Sequence, residues 1–223
     1  MYRMLGLASA LILAAGASSV VAAEDTEVCF FDRDSFTMKS NQTGIETGSI
    51  VEHVRDCGRL RVEIKNTQTS MMGFTTSTSQ RVIYDGPKII TVDNTTGQVT
   101  VADNPMYDNM VAAMQNSQQS GVELGEAFAT GMGGVATGET GTFAGEDCAY
   151  WSVPQLGSTF CLASWGATLH SRTAMGPAQM ERTVFEILDD AGSDSAFQYD
   201  LNAAQPIPNL QDLMQGLGQP QQQ

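Results

Sequence analysis

The sequence predicts a mainly β fold of the α+β class, in which an antiparallel curved sheet or half-barrel carries one helical insertion over its concave face. Three observations predict it. In RLRVEIK (59–65), apolar residues alternate with charged ones, which is the period of a strand with one face on a core and the other in water. Short β-branched runs separated by turn residues follow. The strand pattern is then interrupted at Asn104-Pro105, a capping residue followed by a proline suited to the first helical position.

The amino-terminal 23 residues have the layout of a cleavable secretory signal. One positive charge, at Arg3, precedes an apolar run that ends in Val21-Ala22-Ala23. The apolar run is shorter than the roughly 20 residues that a membrane-spanning helix needs. We therefore expect a signal peptide at 1–23 and an exported, periplasmic or extracellular protein with no transmembrane anchor after cleavage. The remainder is predicted to be a single β-rich domain at 24–203 and a Pro- and Gln-rich, disordered tail at 204–223.

The charge balance excludes nucleic acid as a partner. The chain has 11 Lys and Arg against 25 Asp and Glu, a net charge of −14, and the expected leader removes one more positive charge. Binding to phosphate backbones needs clustered Lys and Arg. No catalytic motif is found. Of the two histidines, His53 lies beside charged residues in a predicted strand, which favours a solvated surface position, and His170 has no evident partner in the sequence. We expect no enzyme activity, no metal and no cofactor.

Four cysteines in an exported chain indicate two disulfides, for which three pairings exist. Cys148 and Cys161 lie on either side of one turn, and Cys29 and Cys57 lie in neighbouring amino-terminal segments. We favour these two pairs as structural disulfides. A zinc site would need Cys-x-x-Cys or clustered His spacing, and the sequence has neither.

The elements follow in order along the chain. Turn residues at 85–87 and 93–97 divide residues 80–105 into an antiparallel meander. The Gly-rich stretch 131–145 is predicted to be a loop. Residues 148–164 are predicted to form a hairpin around Pro154, and two further strands are expected at the end of the domain. Their sequences are ERTVFEILDD (181–190), where a helix is the alternative, and SAFQYDL (195–201).

A methionine stripe is the candidate binding surface. Met106, Met110 and Met114 recur every four residues of the predicted helix, with Val111 beside them. Methionine fills irregular gaps in cores and also lines sites that accept varied apolar partners. One interpretation is a helix that plugs an incomplete β core. The other is a movable cover over an apolar pocket.

The order of elements resembles the half-barrel of periplasmic lipoprotein-carrier and lipid-binding proteins and uncharacterised exported envelope families related to them. The similar stretches are RVIYDGPKIITVDNTTGQVTVADNP (81–105), a strand pair before a helix, and FCLASWGATL (160–169), a late apolar hairpin. The resemblance covers Gly44 to Tyr199. It implies a concave face that holds a lipid, an acyl chain or an apolar protein segment. The alternatives are an envelope protein with a filled core that binds other proteins and, with the least support, a hydrolase that uses His53 or His170.

Overall fold

A twelve-stranded open sheet forms the body of the protein. The computed structural model describes residues 29–71, 73–117, 121–176 and 178–205, so the predicted signal peptide and residues 206–223 of the predicted tail lie outside the described residues. The strands are β1 (Phe36–Gly44), β2 (Glu46–Arg55), β3 (Leu60–Met71), β4 (Phe74–Asp85), β5 (Lys88–Asp93), β6 (Val99–Asp103), β7 (Val135–Phe143), β8 (Glu146–Val153), β9 (Ser158–Ala163), β10 (Thr168–Met175), β11 (Ala178–Leu188) and β12 (Ala204–Gln205).

The sheet is a meander with one long-range joint. Its strand order is β12-β6-β5-β4-β3-β2-β1-β11-β10-β9-β8-β7, and every neighbouring pair is antiparallel except β12 with β6. Hairpins make most of the pairs, while β1 and β11 join the two ends of the chain in the middle of the sheet. The predicted fold class, a curved antiparallel sheet with a helical insertion over its concave face, is confirmed. Among the described residues, no helix is both long and apolar enough to cross a membrane.

The turns follow from their side chains. Asp93 Oδ1 accepts hydrogen bonds from the backbone N–H groups of Thr95 and Thr96 at 2.7 and 2.9 Å. These bonds close the loop between β5 and β6, where the two N–H groups lie outside the β ladder. The strand β11 includes most of ERTVFEILDD, as favoured from the sequence. The predicted hairpin around Pro154 is formed by β8 and β9.

The helical insertion consists of two helices, α1 (Tyr107–Ser117) and α2 (Gly121–Gly131). Asn104 starts the insertion, because its Oδ1 accepts a bond from Met106 N at 3.3 Å. The beginning of α2 lies against the β9–β10 turn, where a Cβ added to Gly166 would meet the backbone of Gly121 at 2.7 Å. This close approach of two glycines holds α2 over the sheet.

The prediction of a loop from 131 to 145 is wrong over most of its length. Residues Val135–Phe143 form β7, the edge strand, which pairs with β8. Glycine lowers the intrinsic tendency to form a strand, but β8 supplies a ladder of backbone hydrogen bonds that the sequence of 131–145 does not reveal.

The carboxy-terminal segment, residues 191–203, covers the convex face of the sheet. The apolar side chains Val62, Ile83 and Ile90 are almost completely buried there, together with Ala196. The prediction of a strand at 195–201 is wrong, because the segment forms the short helix α3 (Asp194–Phe197) and then irregular backbone. Side-chain contacts with the sheet, rather than strand pairing, fix its position.

Arg55 is the main anchor of this segment. Its guanidinium donates to the carbonyls of Ala191 and Gly192 at 3.3 and 2.9 Å. It also pairs with Asp194 at 2.8 Å and lies 4.2 Å from the ring centroid of Phe197. The side chain of Arg55 therefore binds two backbone carbonyls of the turn before α3 and pairs with the charge of Asp194 in α3.

Both favoured disulfides are present. Cys29 pairs with Cys57 across a sequence separation of 28 residues, and Cys148 pairs with Cys161 across 13. The second joins β8 to β9 inside a buried cluster that also contains Trp165. These two disulfides are cross-links of the scaffold.

Candidate functional site

A large cleft lies between the helical insertion and the concave face. It has a volume of about 500 Å³, within the range of small-molecule sites. Its apolar walls come from the amino-terminal segment, the sheet and both helices: Phe30, Phe31, Tyr84, Ile89, Met106, Tyr107, Met110, Leu124 and Phe128. Within the described part of the chain, the charged residues that line it are Arg59 and Arg61.

A small cleft continues the large one under α2. It measures about 330 Å³, and its apolar lining includes Met132, Val153, Phe160 and Leu162. Gly125, Phe128 and Gly166 line both clefts. A Cβ added to Gly125 would lie 2.8 Å from Leu162 Cδ2, so the absence of a side chain on Gly125 keeps the junction between the clefts open.

The four residues predicted to bind ligand divide between cleft and core. Met106 and Met110 line the large cleft, and Met106 is 46% exposed. Met114 is buried, with 5% of its surface exposed, and Val111 is half-buried. Among the described lining residues of the large cleft, neither Val111 nor Met114 is present. The first two methionines of the stripe therefore lie at the cleft, and Met114 packs inside the protein.

A charged floor lies beside the clefts on the same face of the sheet. We use this name for Glu52, Arg61, Glu63, Lys65 and Arg182, which line two polar recesses of about 310 and 220 Å³. Register places them together, because Glu52 pairs with Glu63 across β2 and β3, and paired residues share a face.

Every carboxylate oxygen of the floor accepts a bond from a cation. Glu52 Oε1 lies 3.3 Å from Arg61 Nη1, and Glu52 Oε2 lies 2.9 Å from Arg182 Nη2. Glu63 Oε1 lies 2.9 Å from Lys65 Nζ, and Glu63 Oε2 lies 3.1 Å from Arg182 Nη1. Arg182 also donates its Nε–H to Ser40 Oγ at 2.9 Å. Each oxygen of these two carboxylates is thus paired with a cation, and Arg61 and Lys65 have more N–H donors than these bonds use.

The ionisation of the floor follows from its pairing. Burial alone would raise the pKa of Glu63, but the hydrogen bond and charge of Lys65 and the charge of Arg182 outweigh burial and lower it. Burial would lower the pKa of Arg182, yet the charges of Glu52 and Glu63 raise it. Glu63 and Arg182 are therefore both ionised near neutral pH.

The two histidines lie away from the clefts. His53 Nδ1 is 2.7 Å from Thr37 Oγ1, and burial lowers the pKa of His53 although the charge of Asp190 raises it. His170 lies between Tyr150, at 3.2 Å, and Glu181, at 2.9 Å. Neither histidine is among the residues that line the described clefts, so the hydrolase hypothesis gains no substrate pocket.

No group of three or more His, Cys, Asp or Glu residues among those described is arranged to hold a metal ion.

Sequence reasoning missed the charged floor and the aromatic walls. The alternation in β3 predicts apolar residues in the core and charged residues in water. The apolar set faces the carboxy-terminal segment, as Val62 does, but Arg61, Glu63 and Lys65 line the polar recesses on the other face. The signal for the floor was the acidic and basic pattern of β3, and its missing partner, Arg182, lies more than a hundred residues away.

No family model and no curated protein matches the chain. Solved structures similar to it include an uncharacterized conserved protein from Thermus thermophilus and LprF from Mycobacterium bovis. The first has 9% identity and a TM-score of 0.46, and the match covers 78% of this chain and 91% of that one. The second has 10% identity and a TM-score of 0.34, with 71% and 88% covered.

Proposed function

We propose that the protein is an exported binding protein that holds a lipid or another ligand with an acyl chain in the large cleft. The observation that carries this proposal is the pair of adjacent apolar clefts between the helices and the concave face, which have volumes of about 500 and 330 Å³ and share Gly125, Phe128 and Gly166 in their linings. A chain of methylene groups is a ligand that suits two neighbouring apolar spaces.

The lining supports an adaptable apolar site. Met106 and Met110 have flexible side chains that repack around ligands of different shape. Phe30, Tyr84 and Phe128 add large aromatic surfaces. An envelope protein with a filled core would not leave this space on its concave face, so the clefts favour ligand binding over that alternative.

Export is part of the proposal. The two disulfides support it, since structural disulfides persist in oxidising compartments such as the periplasm and the cell exterior. The layout of residues 1–23 supports it from the sequence.

The test is binding of a neutral apolar fluorophore, 1-N-phenylnaphthylamine, to the oxidised full chain, with native mass spectrometry before and after organic extraction. We expect fluorescence enhancement and an extractable mass. Met110→Asp places a carboxylate in the large cleft and should weaken fluorophore binding at least tenfold. Phe185→Asp is the matched control, because Phe185 is 51% exposed and lies outside the lining of the described clefts. Equal binding by both variants and the parent would contradict the proposal.

A further inference from the structure

The positive charges of this acidic protein concentrate on its concave face. Four of the 11 Lys and Arg residues line the clefts and recesses described above, against three of the 25 Asp and Glu residues. The cations are Arg59, Arg61, Lys65 and Arg182, and the carboxylates are Glu46, Glu52 and Glu63. A chain with a net charge of −14 therefore presents a slightly positive interior to a ligand. This contrast is the reverse of what a random distribution of charge would give.

Arg61 lies where the apolar and polar parts of this interior meet. It lines both the large cleft and the recess of about 310 Å³. Its guanidinium lies 4.1 Å from the ring centroid of Tyr84, which fixes its plane, and donates from Nη1 to Glu52. Its side chain is 32% exposed. A guanidinium has five N–H donors, so most of its donors are left for a group at the mouth of the recess.

We propose that the ligand is an anionic amphiphile whose carboxylate or phosphate head is bound by Arg61 beside Arg182 in the recess of about 310 Å³, while its acyl chain occupies the large cleft. The inference rests on the proposed function and names the ligand class for the same site.

Ion pairing explains why an anion is accepted next to two glutamates. Each oxygen of Glu52 and Glu63 already accepts a bond from Arg61, Lys65 or Arg182, so the cations compensate the charges of these two carboxylates. An anionic head at Arg61 would meet N–H donors that Glu52 leaves unused, and hydrogen bonds to charged groups are the stronger ones. A cationic head at the same place would be repelled by the charge of Arg61.

The experiment compares heads on one chain length. Dodecanoate, dodecyl phosphate, dodecanol and dodecyltrimethylammonium displace the neutral fluorophore from the oxidised full chain, below their micelle concentrations and at a pH where the carboxylate is ionised. We expect both anions to bind at least about tenfold tighter than dodecanol, and we expect added salt to reduce this advantage. A preference between dodecanoate and dodecyl phosphate identifies a free fatty acid or a phosphorylated lipid as the source of the head.

The variant Arg61→Gln keeps a donor for Glu52 and should remove most of the anion advantage, measured as the ratio of dodecanoate affinity to dodecanol affinity in the same variant. Lys39→Gln is the matched control, because it removes one positive charge from an exposed ion pair with Glu186 outside the clefts. Tight dodecanol binding with no anion advantage in the parent protein would overturn the head assignment alone. Absence of binding by every amphiphile and by the fluorophore would overturn the proposed function, and with it this inference.

Discussion

Gly125 offers a direct test of whether one ligand chain passes through both clefts. It lines the large and the small cleft, and a Cβ there would point at the end of Leu162 from 2.8 Å. In Gly125→Leu, the end of the Leu162 side chain must shift to make room for the new Cβ. The rest of the new side chain then fills the space between the large and the small cleft. The helix itself should tolerate the change, because leucine is a better helix former than glycine by up to about 1 kcal/mol.

The expected loss of affinity follows from the number of ligand methylene groups that can no longer enter the small cleft. Each buried methylene contributes about 0.8 kcal/mol, or roughly a fourfold gain in affinity. A chain with about four methylenes in the small cleft would lose about 3 kcal/mol, roughly 200-fold in affinity, when the junction is blocked. Short chains that fill only the large cleft should bind as before.

The assay is a titration of fatty acids of increasing length against the parent protein and two variants. Affinity should rise with each methylene in the parent, whereas in Gly125→Leu the rise should stop at a shorter chain. Gly131→Leu is the control, since Gly131 is in the same helix but nothing lies within 4 Å of an added Cβ. The same length dependence in all three proteins would refute a chain that crosses from one cleft to the other.

Two further predictions concern stability. Burial lowers the pKa of His53 below 6.5, so the unfolded chain binds more protons than the fold just below that pH. Urea midpoints should therefore fall as the pH drops from 6.5 toward the lowered pKa, and His53→Gln should flatten this slope; equal slopes would contradict it. Replacing Cys148 and Cys161 by Ala should cost about 3 kcal/mol of unfolding free energy at 25 °C, and the longer loop of Cys29 and Cys57 about 0.6 kcal/mol more. If denaturant unfolding gave equal losses of unfolding free energy for the two disulfides, or a larger loss for Cys148 and Cys161, the entropy of loop closure would not govern these losses.

The sequence predicted the fold class because the local signals agreed with the global pairing. The alternation in β3 and the turn at Asp93 are patterns that span only a few residues. The structure has the strand and the turn at the predicted positions. The strand β1 carried no such signal, because its second half, SNQTG, is polar. Its partners β2 and β11 satisfy its backbone, and β11 lies more than a hundred residues away.

The candidate site was predicted less completely for the same physical reason. The methionine spacing identified one wall of the large cleft, since helical periodicity is local. The opposite wall needs Tyr84 and Ile89, which the register of β4 and β5 brings side by side. The charged floor needs Arg182 beside Glu52, a contact between residues 130 positions apart.

The two faces of the sheet differ in the side chains that they carry. Where only stability is at stake, under the carboxy-terminal segment, the sheet buries Val62, Ile83 and Ile90 against apolar partners. On the concave face the same strands carry Arg61 and Glu63 instead. A buried ion-pair network pays a desolvation penalty that well-packed apolar residues of similar volume avoid, so these charges do not improve the fold over the apolar packing used on the other face. Under the proposed function, their position beside a cleft of about 500 Å³ suits them to bind the head of an amphiphile, which apolar residues in their place could not do.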